Sequence, residues 1–217
     1  ALPIGKNNGM EDMKRFVADM ESVLPPGALS ATPASFKPLP DYISKIFDLV
    51  APHIIKPLKI IIDAGNGMAK ATFPELLKHI PITAEYLFLE PDGTFPNHEA
   101  NPLKTETLAA LQEKVKQTGA DLGFALDGDA DRLGLVDEQG NVVDASFVGA
   151  LIGLEVLRAN GGHGHMLYDL RSSMVLKEAW ETAGATTAMC PVGHALIKPI
   201  LAAENGLFAS ELSLHQY

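Results

Sequence analysis

The 217-residue sequence is short of cysteine, of long apolar segments and of basic charge. Cys190 is its single cysteine, so an intrachain disulfide is excluded, and a reducing, cytoplasmic location is expected. The most apolar stretch, residues 145–157, is shorter than the roughly 20 residues that a membrane-spanning helix needs. With 17 Lys and Arg against 27 Asp and Glu, the formal net charge is −10, which argues against nucleic acid or an anionic membrane as the main partner.

Apolar runs and helical patterns alternate along most of the chain. Residues 25–40 carry five of the 15 prolines, which predicts a linker ahead of this alternation. The predicted strands are 58–62, 84–89, 122–126, 133–136, 142–143, 166–170, 186–190 and 207–212. The predicted helices are 41–50, 68–79, the stretch between Thr105 as N-cap and Gly119 as C-terminal stop, 144–160, 173–182 and 194–203. This order predicts an α/β fold with mixed, mostly parallel sheets covered by helices.

Charged side chains stand where several predicted strands end. In open α/β sheets, functional loops gather at the carboxyl ends of the strands. Here those ends carry Asp63, Asp127, Asp169 with Arg171, and Glu211. The sequence therefore offers candidate functional residues at this edge in both halves of the chain.

Asp127, Asp129 and Asp131 directly follow the predicted strand 122–126 and are separated by single small residues. Acids at alternating positions of a curved loop can point to one centre, and three negative charges packed together are costly without a cation. Hard carboxylate oxygens suit Mg²⁺, which keeps coordination positions free for substrate or phosphate. We therefore predict a Mg²⁺ site at these three residues.

Three other interpretations of this loop stay open from the residues alone. It could be a solvated acidic turn. As a calcium loop of the EF-hand kind beginning at Asp127, it would place Glu138 at position twelve, but Arg132 stands at position six, where the sharp turn needs glycine. A phosphatase of the haloacid dehalogenase type would use a strand ending in Asp-x-Asp, but the third acid and Arg132 do not fit its usual continuation.

Two further motifs favour structural interpretations. Residues 63–68 follow a strand and precede a helical pattern, a place where backbone amides can bind an anion. The Walker and dinucleotide fingerprints are both missing, so a plain tight turn is favoured. His163 and His165 are more simply explained by a loop that leads into a strand than by a metal pair.

Six segments resemble, in order, the α-D-phosphohexomutase family, and within it the phosphomannomutase/phosphoglucomutase branch. They are residues 59–69, 92–98, 120–132, 168–173, 193–198 and 210–215. The resemblance implies a fold of consecutive family domains. Residues 1–38 would be the tail of domain I and a linker, 39–140 the complete domain II with the metal-binding loop, and 141–217 the N-terminal part of domain III with the sugar-binding loop.

The resemblance also implies an isomerase that moves phosphate between O1 and O6 of a hexose through a phosphoserine and a bisphosphorylated sugar. Mg²⁺ would be held by the three aspartates, with Arg132 as the catalytic residue beside the phosphate. The substrate would be mannose or glucose 1- or 6-phosphate, and the family's substrate-binding positions correspond to Arg171, His194, Glu211, Ser213 and His215. Because the family's serine has no counterpart in these residues, the chain alone is expected to be inactive.

Two glycines of the family's sugar loop are replaced. The family's Gly-Glu-x-Ser-Gly-His pattern has Ser210 at its first position and Leu214 at its fifth. Glycine positions often need torsion angles that leucine tolerates poorly, so both changes bear on the geometry of the loop. Leu212 favours the phosphomannomutase/phosphoglucomutase branch over phosphoglucosamine mutase. That enzyme stays an alternative, as does a non-catalytic module that binds metal or sugar phosphate.

Overall fold

The computed structural model describes residues 4, 9–20, 35–50 and 55–217. Helix α1 spans Met10–Met20 and was not predicted, whereas α2 spans Leu39–Leu49 and confirms a predicted helix. Most of the predicted linker at 25–40 lies outside the described residues. Within the described part, no helix combines the length and apolar character needed to cross a membrane.

The first α/β unit is a five-stranded mixed sheet with the order β2-β1-β3-β4-β5. Its strands are β1 (Leu58–Asp63), β2 (Ile82–Leu87), β3 (Leu122–Leu126), β4 (Leu133–Val136) and β5 (Val142–Val143). Its helices are α3 (Phe73–Leu76) and α4 (Ala109–Thr118). β1 pairs in parallel with β2 and β3, whereas β4 is antiparallel to both β3 and β5.

The second unit is a three-stranded sheet with the order β7-β6-β8, in which both pairings are parallel. Its elements are α5 (Ala145–Ala159), β6 (Gly164–Asp169), α6 (Val175–Thr182), β7 (Ala185–Cys190), α7 (His194–Ala203) and β8 (Phe208–Ser210). Parallel strands need crossover connections, and the intervening helices supply them. The predicted α/β class, with mostly parallel sheets covered by helices, is confirmed.

Strand β1, which lies between β2 and β3 in the first sheet, is buried on both faces. Ile60, Ile61 and Ile62 are each 0% exposed, as expected for a parallel strand covered by helices on both sides. Ile61 belongs to the apolar cluster that contains Leu111 of α4, while its two neighbours belong to the cluster on the opposite face. This sandwich fixes the direction of β1 and β3, and therefore the edge at which their following loops lie.

Two helical segments differ from their predictions. Residues 68–79 form two 3₁₀ turns around the short α3, because Pro74 has no N–H to donate and restricts the residue before it. Thr105 lies in a 3₁₀ turn, Thr105–Leu108, rather than capping α4 directly. Gly119 ends α4 as predicted, with a left-handed φ of 60°.

A glycine allows α5 to pack closely against α6. A methyl group on Gly153 would lie 2.5 Å from Nε1 and 2.6 Å from Cε2 of Trp180. Trp180 is fully buried, and its indole N–H donates to the carbonyl of Ala150 at 3.1 Å. The ring is therefore held from several sides and cannot easily move away.

We expect Gly153→Ala to lower the free energy of unfolding by about 2 kcal/mol, because overpacking a buried contact outweighs the roughly 1 kcal/mol gained in helix propensity. Urea denaturation followed by tryptophan fluorescence measures this difference. Gly93→Ala is the control, since nothing lies within 4 Å of an added methyl group there. Equal midpoints for Gly153→Ala and the unchanged chain would show that the predicted collision does not occur.

Candidate metal centre and sugar-phosphate site

The loop of residues 127–132, called the metal loop below, turns from β3 directly into β4. Asp127 is 1% exposed, and its Oδ1 accepts the backbone N–H groups of Asp131 at 3.1 Å and Arg132 at 3.0 Å. Ala130 takes a left-handed φ of 63°, which lets the loop curl around this carboxylate. Strands flank the loop, so the helix–loop–helix arrangement of an EF-hand is excluded.

The three predicted metal ligands converge. One carboxylate oxygen from each of Asp127, Asp129 and Asp131 lies within 4.8 Å of the others. Among the residues that the structure describes, this is the one group of three or more acidic, His or Cys side chains close enough to share an ion. Asp127 is buried and the other two are exposed, so the cluster opens to solvent on one side. This set of hard oxygen donors fits Mg²⁺.

The carboxyl groups of the metal loop differ in their pKa. Burial alone would raise the pKa of Asp127, but hydrogen bonds from the backbone and side chain of Arg132 lower it below its ordinary value. Nε and Nη2 of Arg132 each lie 2.7 Å from Oδ2 of Asp127. A hydrogen bond to Asp127, with burial, raises the pKa of Asp129. Asp127 therefore carries a fixed negative charge that Arg132 partly neutralises.

The glycine-rich turn of residues 63–68 packs against the backbone of the metal loop. The backbone N–H of Met68 donates to the carbonyl of Gly128 at 2.9 Å. A methyl group on Gly67 would lie 2.6 Å from that same carbonyl oxygen. The turn is thus packed against the loop that carries the carboxylates, which agrees with its interpretation as a structural turn.

Asp169, at the carboxyl end of β6, is fully buried and joins two loops. Its Oδ2 accepts hydrogen bonds from Nε and Nη2 of Arg171 at 3.0 and 2.6 Å, and from the backbone N–H of Leu212 at 3.3 Å. Its Oδ1 accepts the hydroxyl of Ser172 at 3.0 Å. Burial would raise the pKa of Asp169, but the hydrogen bonds from Arg171 and Ser172 lower it below its ordinary value. The sequence analysis names Asp169 among the charged residues at strand ends but assigns it no catalytic, metal-binding or substrate-binding role.

Glu211 connects the loop after β7 with residues 210–215, called the sugar loop below. Its side chain is 3% exposed. Oε1 accepts the backbone N–H of Gly193 at 2.8 Å, and Oε2 accepts the hydroxyl of Tyr217 at 2.6 Å. Tyr217 was not predicted as a site residue, since its position two residues after His215 gives no sign of the contact.

His215 brings the two units together. Its Nε2 lies 3.4 Å from Oδ2 of Asp131 in the metal loop, and its Nδ1 lies 3.0 Å from the hydroxyl of Ser213. A cavity of about 330 Å³ opens at this junction. Its walls include Asp131 and all five residues predicted to bind substrate: Arg171, His194, Glu211, Ser213 and His215. Arg132 is instead directed at Asp127.

Leu214 occupies one of the two replaced glycine positions. It has a φ of 73°, in the left-handed region that glycine favours, and its N–H donates to the carbonyl of Glu211 at 3.1 Å. The residue is only 6% exposed. Burying a leucine side chain contributes about 1.5–3 kcal/mol, which offsets the roughly 1–2 kcal/mol cost of this backbone conformation. The sugar loop therefore keeps a glycine-type turn with leucine in it.

Ser210, at the other replaced position, fits because α5 has a glycine opposite it. The residue is 1% exposed, and a methyl group on Gly149 would lie 2.1 Å from its Oγ. This hydroxyl has no hydrogen-bond partner among the described residues. Ser210 is thus accommodated because Gly149 has no side chain, so that the hydroxyl packs directly against the backbone of α5.

Comparisons with known proteins agree with this architecture. A family profile described as phosphoglucomutase/phosphomannomutase, alpha/beta/alpha domain II, matches residues 40–140. The profile for alpha/beta/alpha domain III of the same family matches residues 144–217. Fold and profiles together define the class as α-D-phosphohexomutases, an isomerase class. The chain belongs to its phosphoglucomutase/phosphomannomutase family, which confirms the resemblance found in the sequence.

Individual relatives share this family name. A protein of Xanthomonas campestris pv. campestris described as "Phosphohexose mutases" is 33% identical over 217 residues, which is 100% of this chain and 48% of the relative. A phosphomannomutase/phosphoglucomutase of Pseudomonas syringae pv. tomato is 38% identical over 174 residues, covering 80% of this chain and 37% of that protein. The chain thus spans about half, or less, of the length of these relatives.

A crystal structure of a phosphoglucomutase/phosphomannomutase family protein from Burkholderia thailandensis superposes with a TM-score of 0.82 at 29% identity. The superposition covers 95% of this chain and 44% of that one. The two α/β units therefore have their counterpart within a longer solved protein.

We expect Asp169→Asn to lower the free energy of unfolding at pH 7 by about 2 kcal/mol or more, because hydrogen bonds to a charged group contribute about 1.5–3 kcal/mol each. The lowered pKa of Asp169 means that its contribution is present above the unfolded-state pKa, about 3.9, and is lost as pH falls through the folded-state pKa. Denaturant titrations at pH 7 and pH 3 measure both effects. The difference between the variant and the unchanged chain should shrink at pH 3.

Asp48→Asn is the matched control, because Asp48 is an exposed carboxylate at the end of α2. It should change stability little at either pH. A stability difference for Asp169→Asn that is the same at both pH values would contradict the assigned charge of Asp169.

Proposed function

We propose that this chain forms the metal loop and the sugar-phosphate site of a Mg²⁺-dependent phosphomannomutase/phosphoglucomutase. Such an enzyme moves phosphate between O1 and O6 of a hexose through a phosphoserine and a bisphosphorylated sugar. The observation that carries the proposal is the 3.4 Å approach of His215 to Asp131. It joins an acidic, metal-type cluster to a cavity that contains both cationic and hydroxyl-binding side chains.

Asp127, Asp129 and Asp131 would hold the Mg²⁺, whose chemistry when bound is that of a Lewis acid and charge neutraliser for a phosphoryl group. Arg132 orients the carboxylate of Asp127 and keeps it ionised. Its guanidinium also adds positive charge next to three carboxylates that would otherwise repel a phosphate.

The sugar loop supplies the groups that would bind the hexose. The Glu211 carboxylate can accept hydrogen bonds from neighbouring sugar hydroxyls, and the Ser213 hydroxyl can accept or donate one. Arg171, His194 and His215 supply cationic or titratable groups for a phosphorylated substrate, which we propose to be mannose or glucose 1- or 6-phosphate. The phosphate-carrying serine of the family has no counterpart in these residues, so we expect this chain by itself to bind without turnover. Its single cysteine suits a cytoplasmic setting.

We expect Asp129→Asn to weaken Mg²⁺ binding by at least about tenfold, because one of three charged ligands becomes neutral. Isothermal titration of MgCl₂ into the 217-residue chain and the variant measures the affinities. Asp129 is suitable for this test because it is exposed, so its substitution should not unfold the metal loop.

Glu138→Gln is the matched control. It removes the same charge from the turn that follows β4, and Glu138 would be an obligatory ligand only in an EF-hand calcium loop. We expect its Mg²⁺ affinity to equal that of the unchanged chain. Equal affinities for Asp129→Asn and the unchanged chain would refute the metal assignment, as would a loss caused by Glu138→Gln alone.

A further inference from the structure

Glu211 is hydrogen-bonded by two neutral donors, and nitrogen atoms of Arg171 and His215 approach the same carboxylate from beyond hydrogen-bond distance. The backbone N–H of Gly193 and the hydroxyl of Tyr217 each occupy one carboxylate oxygen, at 2.8 and 2.6 Å. Nη2 of Arg171 lies 3.8 Å from Oε1, and Nδ1 of His215 lies 3.6 Å from Oε2. A small rotation of the carboxylate would bring either nitrogen into direct hydrogen-bond distance.

The ring of Tyr217 is anchored without its hydroxyl. The ring stacks on that of His215, with centroids 6.2 Å apart and an interplanar angle of 16°, and Nζ of Lys198 lies 5.3 Å from its centroid. Its backbone N–H and carbonyl both pair with Ala209 of β8, at 2.9 and 3.0 Å. Removing the hydroxyl alone should therefore leave the ring and the chain in place.

We propose that Tyr217 is a positioning residue whose hydroxyl keeps the Glu211 carboxylate from forming a direct hydrogen bond with Arg171 or His215. Each carboxylate oxygen has two lone pairs, so one on each remains available after the neutral donors have bound. The fixed carboxylate can then accept hydrogen bonds from two adjacent hydroxyls of the hexose. This inference rests on the proposed function, which makes Glu211 a reader of sugar hydroxyls.

Tyr217→Phe tests the inference, with Tyr86→Phe in β2 as the control that removes a tyrosine hydroxyl elsewhere. Calorimetry in the presence of Mg²⁺ measures binding of α-D-glucose 1-phosphate and of inorganic phosphate. We expect Tyr217→Phe to bind the sugar phosphate about tenfold more weakly, the scale of one lost hydrogen bond to a charged group. Its affinity for inorganic phosphate, which has no sugar hydroxyls, should not change. A purely structural defect would weaken both ligands together.

A crystal structure of Tyr217→Phe gives a second readout that needs no ligand. We expect the Glu211 carboxylate to move into hydrogen-bond distance of Arg171 or His215. A carboxylate that stays in place overturns the inference. The inference is also overturned if the original chain binds the sugar phosphate more tightly than inorganic phosphate and Tyr217→Phe binds the sugar phosphate with the same affinity as the original chain. If the original chain shows no such preference, the assignment of Glu211 in the proposed function fails, and the inference fails with it.

Discussion

Three of the four buried carboxylates at the carboxyl ends of strands fix the loops of the candidate site. An ionised carboxylate is costly to bury unless hydrogen-bond donors surround it, and Asp127, Asp169 and Glu211 are each at most 3% exposed. The two aspartates meet this requirement in the same way, since an arginine that follows closely in the chain folds back onto each. Glu211 uses a backbone N–H and a tyrosine hydroxyl instead. In every case the donors come from a loop, so satisfying the carboxylate also fixes the shape of that loop.

Arginine donors and neutral donors have different electrostatic effects on the carboxylates that they stabilise. An arginine neutralises the charge of its aspartate, and the resulting pair is suited to holding a loop together. Glu211 accepts its two direct hydrogen bonds from neutral donors, while Arg171 stays at 3.8 Å, so lone pairs of this carboxylate remain available to a ligand in the cavity. The chemistry of the donor thus separates the supporting role of Asp169 from the ligand-binding role proposed for Glu211. Asp127 combines both roles, because it supports the metal loop and belongs to the acidic cluster.

The sequence predicted most of the fold because local patterns determine it. Strand 122–126 and the 133–136 and 142–143 hairpin match the structure to the residue, since alternation and turn composition are local signals. The prediction of one continuous helix over residues 68–79 was wrong, because the effect of Pro74 on the helix was overlooked. The spacing of the three aspartates allowed their convergence on one centre, which the structure shows.

Contacts that depend on tertiary structure escaped sequence analysis. Asp169 binds Leu212, which is 43 positions away, and only the parallel pairing of β6 with β8 brings them together. Tyr217 reaches Glu211 because the chain reverses after the sugar loop and Gln216 pairs with Ser210. The arginine two residues after Asp169 was the one local sign that this aspartate is buried and paired.

The replaced glycine at Leu214 links the sugar loop to the first unit. Its left-handed backbone is tolerated because its side chain is buried, so the shape of the loop depends on what covers that side chain. Leu214 lines a cavity of about 340 Å³ whose other walls include Pro102 and Val143 of the first unit. A glycine would hold the same turn without any neighbour. With leucine, the turn that carries Glu211 and Ser213 draws part of its stability from the junction between the units, so a disturbance at that junction reaches the sugar-binding side chains directly.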